Sequence, residues 1–322
     1  MQLIDHSAEL IDSEVQGNQP FLGKASLLPA LESVLFPAES ASDAGTEQVR
    51  TYALLDSSIV TFLSDRLDMS GLPHACLYSN DAAEDLSIAA PWLVELQPES
   101  RLTRELLTPA GADDNPRYLF DRRPGIVLHA PVSLPVLRHH LRHYTMLLDE
   151  FGVREIFRLQ EPGFLPALLD KCSPAEISAF FGPVAALIHW RPALIDGKWE
   201  VLCASPAPGL PESDPDMAPV PLLGPAQRRG LREALFERQA RDMAMAHTDI
   251  PAERAARADV YLRLYCAGFD GEPTFAEAYM VVRELPPKAR PDFWATVESG
   301  ENSLRFILVQ FVKEFDLDGV LQ

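Results

Sequence analysis

Tyr52-Ala53-Leu54-Leu55-Asp56 is a short apolar run that ends in an aspartate, and it predicts a buried strand. A second run of the same kind, Ala90–Leu96 (APWLVEL), carries a proline near its start, where a strand tolerates one. Similar runs alternate with amphipathic segments from about residue 50 to Ala204. This alternation predicts an α/β (α+β) lobe in which a central mixed sheet is flanked by helices.

The periodicity of the apolar residues predicts the individual elements of this lobe. Strands are predicted at residues 52–55, 75–78, 92–96, 126–129, 155–159, 185–190 and 199–203. Helices are predicted between them at residues 59–67, 101–107, 134–148, 164–169 and 175–181. Because aspartate accepts hydrogen bonds from the free amides of a first helical turn, we expect Asp56 to cap the first of these helices.

A proline-rich stretch separates this lobe from a region with a different pattern. Six prolines lie between residues 205 and 221, and proline fixes φ and lacks a backbone donor, so neither helix nor strand is expected there. The following residues show helical periodicity only, with helices predicted at 226–246, 252–267, 275–285, 292–298 and 303–315. The predicted organisation is an acidic, partly packed N-terminal segment (1–50), the α/β lobe (51–204), a linker (205–221) and an all-helical C-terminal lobe (222–322).

The charge of the chain narrows the range of its partners. Asp and Glu total 47 against 28 Lys and Arg, which gives a formal net charge of −19. Nucleic acids and anionic membranes bind basic surfaces, so neither is expected as a partner. The four cysteines have irregular spacings, which is typical of reduced core thiols. No apolar run is long enough to span a bilayer and the first residues lack a signal-peptide core, so a cytoplasmic location is predicted.

Two further motifs complete an ordered set of four. They are Phe157–Pro162 (FRLQEP) and Phe180–Val184 (FFGPV), and neither contains a catalytic group. In type, order and spacing the four motifs resemble those of the effector-adaptor (chaperone) family of the bacterial type VI secretion system. Members of that family have an aspartate and an arginine where this chain has Glu161 and Gly163. The positions that carry the resemblance are Tyr52, Asp56, Pro91, Trp92, Phe157, Arg158, Glu161, Pro162, Phe181 and Gly182.

The resemblance implies a function in protein binding, with no catalytic residue, metal or cofactor. It implies a non-enzymatic adaptor that binds one toxic effector protein in the bacterial cytoplasm and loads it onto the trimeric spike protein. The helical lobe varies in sequence within the family, so it is expected to select the cargo. Affinity would come from a large interface with a few aromatic or arginine anchors.

The histidines of the predicted helix 134–148 offer a different function. His139 and His143 have the i, i+4 spacing at which two histidines can hold one metal ion, as in a metal-dependent hydrolase. The apolar stripe of this helix runs along the opposite face and two arginines flank the pair, so we expect no metal ion there. Contact with a protein partner is another use of such a basic surface, although the pattern favours a plain solvated face over both. The candidate contact residues are Arg138, His139, Arg142, His143, Arg228 and Arg232.

A third function that remains open is that of an immunity protein, which blocks the active site of a toxin. The acidic charge of the chain would suit a basic toxin such as a nuclease. The sequence motifs of nucleotide-binding enzymes and of serine hydrolases are absent from the sequence. The sequence therefore favours a binding protein over an enzyme.

Overall fold

The computed structural model describes residues 4–12, 20–21, 24–36, 48–78, 90–110, 114–194, 198–210, 222–270, 272–317 and 319–320. The strands within them are β1 (Ile4–Asp12), β2 (Pro20–Phe21), β3 (Lys24–Ala25), β4 (Arg50–Asp56), β5 (His74–Cys76), β6 (Pro91–Glu95), β7 (Gly125–Ala130), β8 (Met146–Asp149), β9 (Arg154–Ile156), β10 (Ala186–Pro192), β11 (Lys198–Pro206) and β12 (Leu222–Leu223). The helices are α1 (Leu28–Leu35), α2 (Leu63–Ser70), α3 (Arg101–Leu106), α4 (Leu134–Arg142), α5 (Phe164–Leu169), α6 (Pro174–Phe181), α7 (Pro225–His247), α8 (Pro251–Cys266), α9 (Glu272–Glu284), α10 (Arg290–Ser299) and α11 (Leu304–Glu314).

Seven of these strands form one sheet, in the order β1-β11-β10-β7-β4-β6-β5. The predicted fold class, an α/β lobe followed by a helical region, is confirmed. One detail differs, since the sheet was expected to be mixed and its neighbouring strands are antiparallel in every pair. Two smaller sheets accompany it, β12-β8-β9 and β2-β3.

The large sheet has a hydrophobic core on each face. Helices α4, α5 and α6 contribute leucines, isoleucine and phenylalanines to one core, and α1, α2 and α3 contribute leucines to the other. Strand β4 serves both, because successive side chains of a strand point to opposite faces. Tyr52 and Leu54 lie in the first core and Ala53 and Leu55 in the second, each with at most 1% of its surface exposed. Burial on both faces fixes the register of this strand.

The helix predicted at residues 134–148 is shorter than expected. Helix α4 ends at Arg142, where the amides of His143, Tyr144 and Thr145 bond to carbonyls three residues earlier and close the last turn. Strand β8 follows, with Leu147 buried and its neighbours exposed. The prediction was wrong because Tyr144 is buried in the turn just as it would be in a longer helix, whereas Leu148, the last residue of the predicted helix, is exposed on the strand.

The N-terminal residues contribute a strand that the sequence did not predict. Strand β1 pairs with β11 along its whole length, from Ile4 opposite Pro206 to Asp12 opposite Lys198. Only its Ile4 and Ile11 side chains are buried, so the alternation that reveals a half-buried strand is missing. The strand forms one edge of the large sheet.

The C-terminal region is helical, as predicted. Helices α7 to α11 enclose a core of their own, in which Tyr261, Phe275 and Phe293 are completely buried. The guanidinium of Arg263 lies 3.9 Å from the centre of the Trp294 ring, a cation–π contact between α8 and α10. Aromatic packing therefore joins helices of this core that are far apart in sequence.

Two compact units divide the chain. One comprises residues 1–193 and 197–231, and the other residues 194–196 and 232–322, so that the division falls within α7. Ser205 and Pro206, the first residues of the predicted linker, are the last residues of β11. Residues 211–221 of that linker lie outside the described residues, and the linker stays a prediction.

Candidate functional site

Three of the four sequence motifs meet at the end of strand β4. Asp56, the last residue of β4, pairs with Pro91, the first residue of β6, and Leu55 pairs with Trp92. Trp92 is half-buried, packs against the second core and lies 6.0 Å from the ring of His74. The first and second motifs are therefore neighbouring strands of one sheet.

The carboxylate of Asp56 lies at the centre of this junction. The residue is 1% exposed, and its two oxygens accept four hydrogen bonds. Oδ1 accepts from the amide and the hydroxyl of Ser58, at 2.8 and 2.7 Å. Oδ2 accepts from Nη2 of Arg158 at 2.5 Å and from Nε2 of Gln160 at 3.2 Å. The lone pairs of this carboxylate are occupied by side chains and backbone of the chain itself.

The expected role of Asp56 as a helix cap is wrong. Its carbonyl oxygen accepts from the amides of Ile59 and Val60, so the residue closes a turn. Helix α2 begins only at Leu63, and its N-cap position is Phe62, whose backbone is left-handed with φ of 54°. The helix starts later than predicted because a residue with positive φ cannot continue an α-helix.

Arg158 connects the third motif to the first. Besides its bond to Asp56, its Nη2 lies 3.3 Å from Oε2 of Glu161, a buried carboxylate one turn further along. Helix α5 then begins at Phe164, with Gly163 at the N-cap position and φ of 86°. A left-handed backbone of this kind favours glycine over residues with a Cβ. This conformation accounts for Gly163 at the position where the resembling family has an arginine.

Sequence reasoning identified the charged members of this junction but missed Ser58 and Gln160. The side chain of Gln160 is 1% exposed, and its Oε1 has no hydrogen-bond partner in the described part of the chain. Its amide group is therefore held through the single bond from Nε2 to Asp56. The signal available in the sequence was a glutamine inside an otherwise apolar and charged motif, which does not by itself specify a partner 104 residues away.

The fourth motif forms a second junction, between helices α4 and α6. Nε2 of His140 donates to the carbonyl of Phe180 at 2.9 Å, and the rings of Phe180 and Tyr144 meet edge to face at 5.1 Å. Burial lowers the pKa of His140 to about 4, although the bond to Phe180 acts in the opposite direction. Helix α6 ends at Phe181 with Gly182 at its C-cap position. The motif fixes the end of one helix against the side of another.

The candidate partner-contact residues differ in whether their side chains already form bonds within the chain. Nε of Arg138 donates to the carbonyl of Cys76 at 2.7 Å. Arg228 forms a two-pronged ion pair with Glu155, at 2.6 and 3.1 Å. Both guanidinium groups are thus used within the chain.

Three of the four remaining candidates are more accessible. His139 and His143 are exposed, and their rings meet edge to face at 5.0 Å. Arg142 is half-buried and has interactions within the chain, whereas Arg232 is exposed. Among the described residues, no three His, Cys, Asp or Glu side chains are grouped so as to hold a metal ion.

The geometry of the motifs defines a set of packing junctions. At the β4 junction, a saturated carboxylate ties a strand end to the loop before α5, and at the α6 junction a neutral histidine ties two helices. These contacts hold backbone segments in place. Within the described ranges, no helix is long and apolar enough to cross a membrane.

The comparison with protein families agrees with the position of the motifs. Residues 51–179 match the profile of a family described as a domain of unknown function, DUF4123. The matched range contains the first three motifs and ends one residue before Phe180, the start of the fourth. No curated protein and no solved structure is significantly similar to this chain.

Proposed function

We propose that this chain is a non-enzymatic adaptor of a bacterial type VI secretion system. In this role it binds one effector in the cytoplasm and brings it to the spike protein. The proposal is supported by the resemblance of the four motifs and by the DUF4123 match over residues 51–179. The match alone describes a domain of unknown function, so the adaptor role rests on the motifs.

The observation that carries the proposal is the internal use of the motif residues. Asp56 accepts its four hydrogen bonds from Ser58, Arg158 and Gln160, all within the same unit of the chain. A side chain that takes a proton from a substrate must come within hydrogen-bond reach of it, and the donors around Asp56 already occupy its oxygens. Motif residues that bond to one another suit a scaffold whose recognition surfaces lie elsewhere.

Cargo selection is assigned in this proposal to the helical region that follows the motifs. The four motifs end at Val184, and the helices α7 to α11 have a separate core. A region with its own core can change its exposed residues without disturbing the motif-bearing sheet. Such a region suits recognition of one particular effector.

The test uses secretion together with complex formation. Deleting the gene should abolish secretion of the effector encoded next to it, while other effectors of the same system are secreted normally. The full chain should co-purify with that effector. Exchanging residues 232–322 for those of a related adaptor should redirect both binding and secretion to the related effector. Normal secretion of every effector by the deletion strain would contradict the adaptor role.

Two control measurements separate the adaptor from the alternative functions. An immunity protein abolishes the toxin's activity in a purified mixture, whereas an adaptor leaves a secretable, active toxin. A metal-dependent hydrolase would purify with stoichiometric metal bound through His139 and His143. The adaptor proposal requires that this protein purifies without such metal.

A further inference from the structure

The small sheet β12-β8-β9 has an unusual outer face. Its inner face carries Leu147 and Leu223, which are buried in the core under the large sheet. The outer face would be expected to be polar, because a sheet that covers a core with one face normally turns its other face to water. Four large apolar side chains lie on it instead, with 40 to 54% of their surface exposed: Met146, Leu148, Ile156 and Leu222.

Strand pairing places these four side chains side by side. Met146 on β8 pairs with Ile156 on β9, and Leu148 pairs with Leu222 on β12. Paired residues point to the same face of a sheet, so the four form one continuous patch, here named the β8 patch. Patches of adjacent exposed apolar residues mark interaction surfaces, whereas isolated ones are common on any protein.

Strand β9 also offers an open edge beside the β8 patch. It is the last strand of its sheet. The amide of Phe157 donates to the carbonyl of Thr145, and the amide of Asp149 donates to the carbonyl of Val153. Each of these two residue pairs is therefore a hydrogen-bonded pair of the β8–β9 ladder. Because such pairs alternate with non-bonded ones, the backbone groups of Arg154 and Ile156 point away from β8. Within the described residues those groups have no hydrogen-bond partner.

The charge at this edge disfavours a second copy of the same chain. Two antiparallel β9 strands could pair through Arg154 and Ile156 in three registers. These registers place Arg154 opposite Arg154, Glu155 opposite Glu155, or Arg154 opposite Arg158. The first register sets two arginines that have no ion pair in the described ranges across from one another, which destabilises a strand pair; Glu155 and Arg158 already form ion pairs within the chain, so the other two registers carry a weaker repulsion. The net charge of −19 adds a general repulsion between copies.

The same charge indicates what kind of strand fits. Arg154 lies on the outer face, opposite Leu148 in the ladder, and forms no ion pair in the described part of the chain. A carboxylate on an incoming strand would neutralise it. Apolar side chains at alternate positions of that strand would extend the β8 patch, and its backbone would use the two donors and two acceptors of Arg154 and Ile156.

We propose that the edge of β9 binds an extended segment of a different protein, which adds a strand to the sheet. The segment has apolar residues at alternate positions and an acidic residue that pairs with Arg154. The inference does not rest on the adaptor role, since it follows from the surface alone.

A peptide-display experiment on the full chain tests this proposal. The probe is a library of peptides of about ten residues, enough for one strand, with randomised side chains. The enriched peptides should alternate apolar with polar residues and carry an acid. Hydrogen exchange of the Ile156 amide should be fast in the free chain and slow with an enriched peptide bound. Enrichment of peptides without this alternation would overturn the proposal.

Variants at the edge provide the decisive comparison. Ile156→Pro removes the outward amide but no bond to β8, and it should weaken binding roughly 2- to 10-fold, the effect of one lost hydrogen bond. Arg154→Glu should lose the preference for acidic peptides. Ile156→Asp should also lose binding, and this variant replaces Ile156→Pro in the test if the proline variant does not fold. The matched control is Ile250→Asp, because Ile250 is 55% exposed against 54% for Ile156 and lies in the helical unit.

The remaining outcomes are equally informative. Equal binding by the wild type and both Ile156 variants would overturn the proposal. Concentration-dependent dimers of the wild type that disappear in Ile156→Pro would overturn the proposal, because the strand bound at β9 would then belong to a second copy of this chain. Failure in this experiment leaves the adaptor proposal standing, because effector secretion is measured separately.

Discussion

Replacing Asp56 by alanine should destabilise the motif-bearing unit more than any other single change at the β4 junction. The substitution removes the acceptor of four hydrogen bonds at a position that is 1% exposed. Gln160 is equally buried and its amide group would have no partner, at a cost of about 1–3 kcal/mol. Ser58 would also lose the acceptor of its amide and hydroxyl.

The contribution of Arg158 to this loss is small. Its side chain is 43% exposed, so water replaces much of the lost ion pair. The total loss of unfolding free energy for Asp56→Ala is therefore expected near the lower end of the range for a broken buried ion pair, about 3–4 kcal/mol. In a unit of this size that free energy corresponds to a fall in Tm of roughly 6–16 °C. Arg158→Ala should cost only about 1 kcal/mol, because Asp56 keeps its three other donors.

Urea unfolding followed by tryptophan fluorescence measures these differences, since three of the four tryptophans lie in the motif-bearing unit. Glu99→Ala is the control, an exposed carboxylate whose loss should change the unfolding free energy by less than about 0.5 kcal/mol. An Asp56→Ala variant as stable as this control would refute the scaffold role. If that stable variant also failed to support effector secretion, Asp56 would act directly in function.

Three further predictions concern other parts of the first unit. Burial lowers the pKa of His140 and of His189 to about 4, so both are neutral in the folded state, and the unfolded chain binds more protons between pH 4 and 6.5. The unfolding free energy should therefore rise with pH across that window, so that lowering the pH from 6.5 to 4 removes up to about 3 kcal/mol for each histidine, and His140→Gln should reduce the slope. Gly125→Ala would bring a Cβ to 1.9 Å from a backbone oxygen of β4, so the measured unfolding free energy should drop by about 3 kcal/mol. Replacing exposed His139 and His143 together by Gln should leave metal content and Tm unchanged, and loss of stoichiometric zinc would contradict this.

The sequence predicted best those elements whose apolar pattern has one interpretation. Strand β4 and strand β6 appear where the motifs Tyr52–Asp56 and Ala90–Leu96 placed them, and α5 has the predicted bounds. The five C-terminal helices also lie within a few residues of their predicted ends. In each case the run is bounded by proline, glycine or a polar residue that permits one structure only.

The errors arise where local pattern leaves two structures open. Between Leu134 and Leu148, apolar residues at helical spacing also satisfy a helix that stops at Arg142 and a strand that follows it. Strand β1 has too few buried residues to produce a periodic signal. Strand β1 is formed by pairing with β11, which is about 190 residues away, and β8 by pairing with the next strand, β9; the apolar spacing within either segment does not reveal such pairing.

The contacts of the candidate site could not be predicted either, because they join residues that are far apart in sequence. Asp56 and Arg158 were each singled out from their motifs, but they are 102 residues apart and nothing local indicates that they meet. The β8 patch was missed for a different reason. Exposed Ile156 and Leu222 have the same apolar character as core residues, and only the structure distinguishes the two faces of a sheet.

The position of β1 in the large sheet has a consequence for the order of synthesis. Its partner β11 begins at Lys198, so Ile4–Asp12 leaves the ribosome long before the strand on which it docks exists. At about 5–20 residues per second the delay is roughly 10–40 s. During this time an apolar strand would be exposed to aggregation, but seven of the nine residues of β1 remain exposed even in the finished fold, and they include Asp5, His6, Ser7 and Glu9. The polar composition that obscured this strand in the sequence therefore leaves little apolar surface on the strand before β11 has been synthesised.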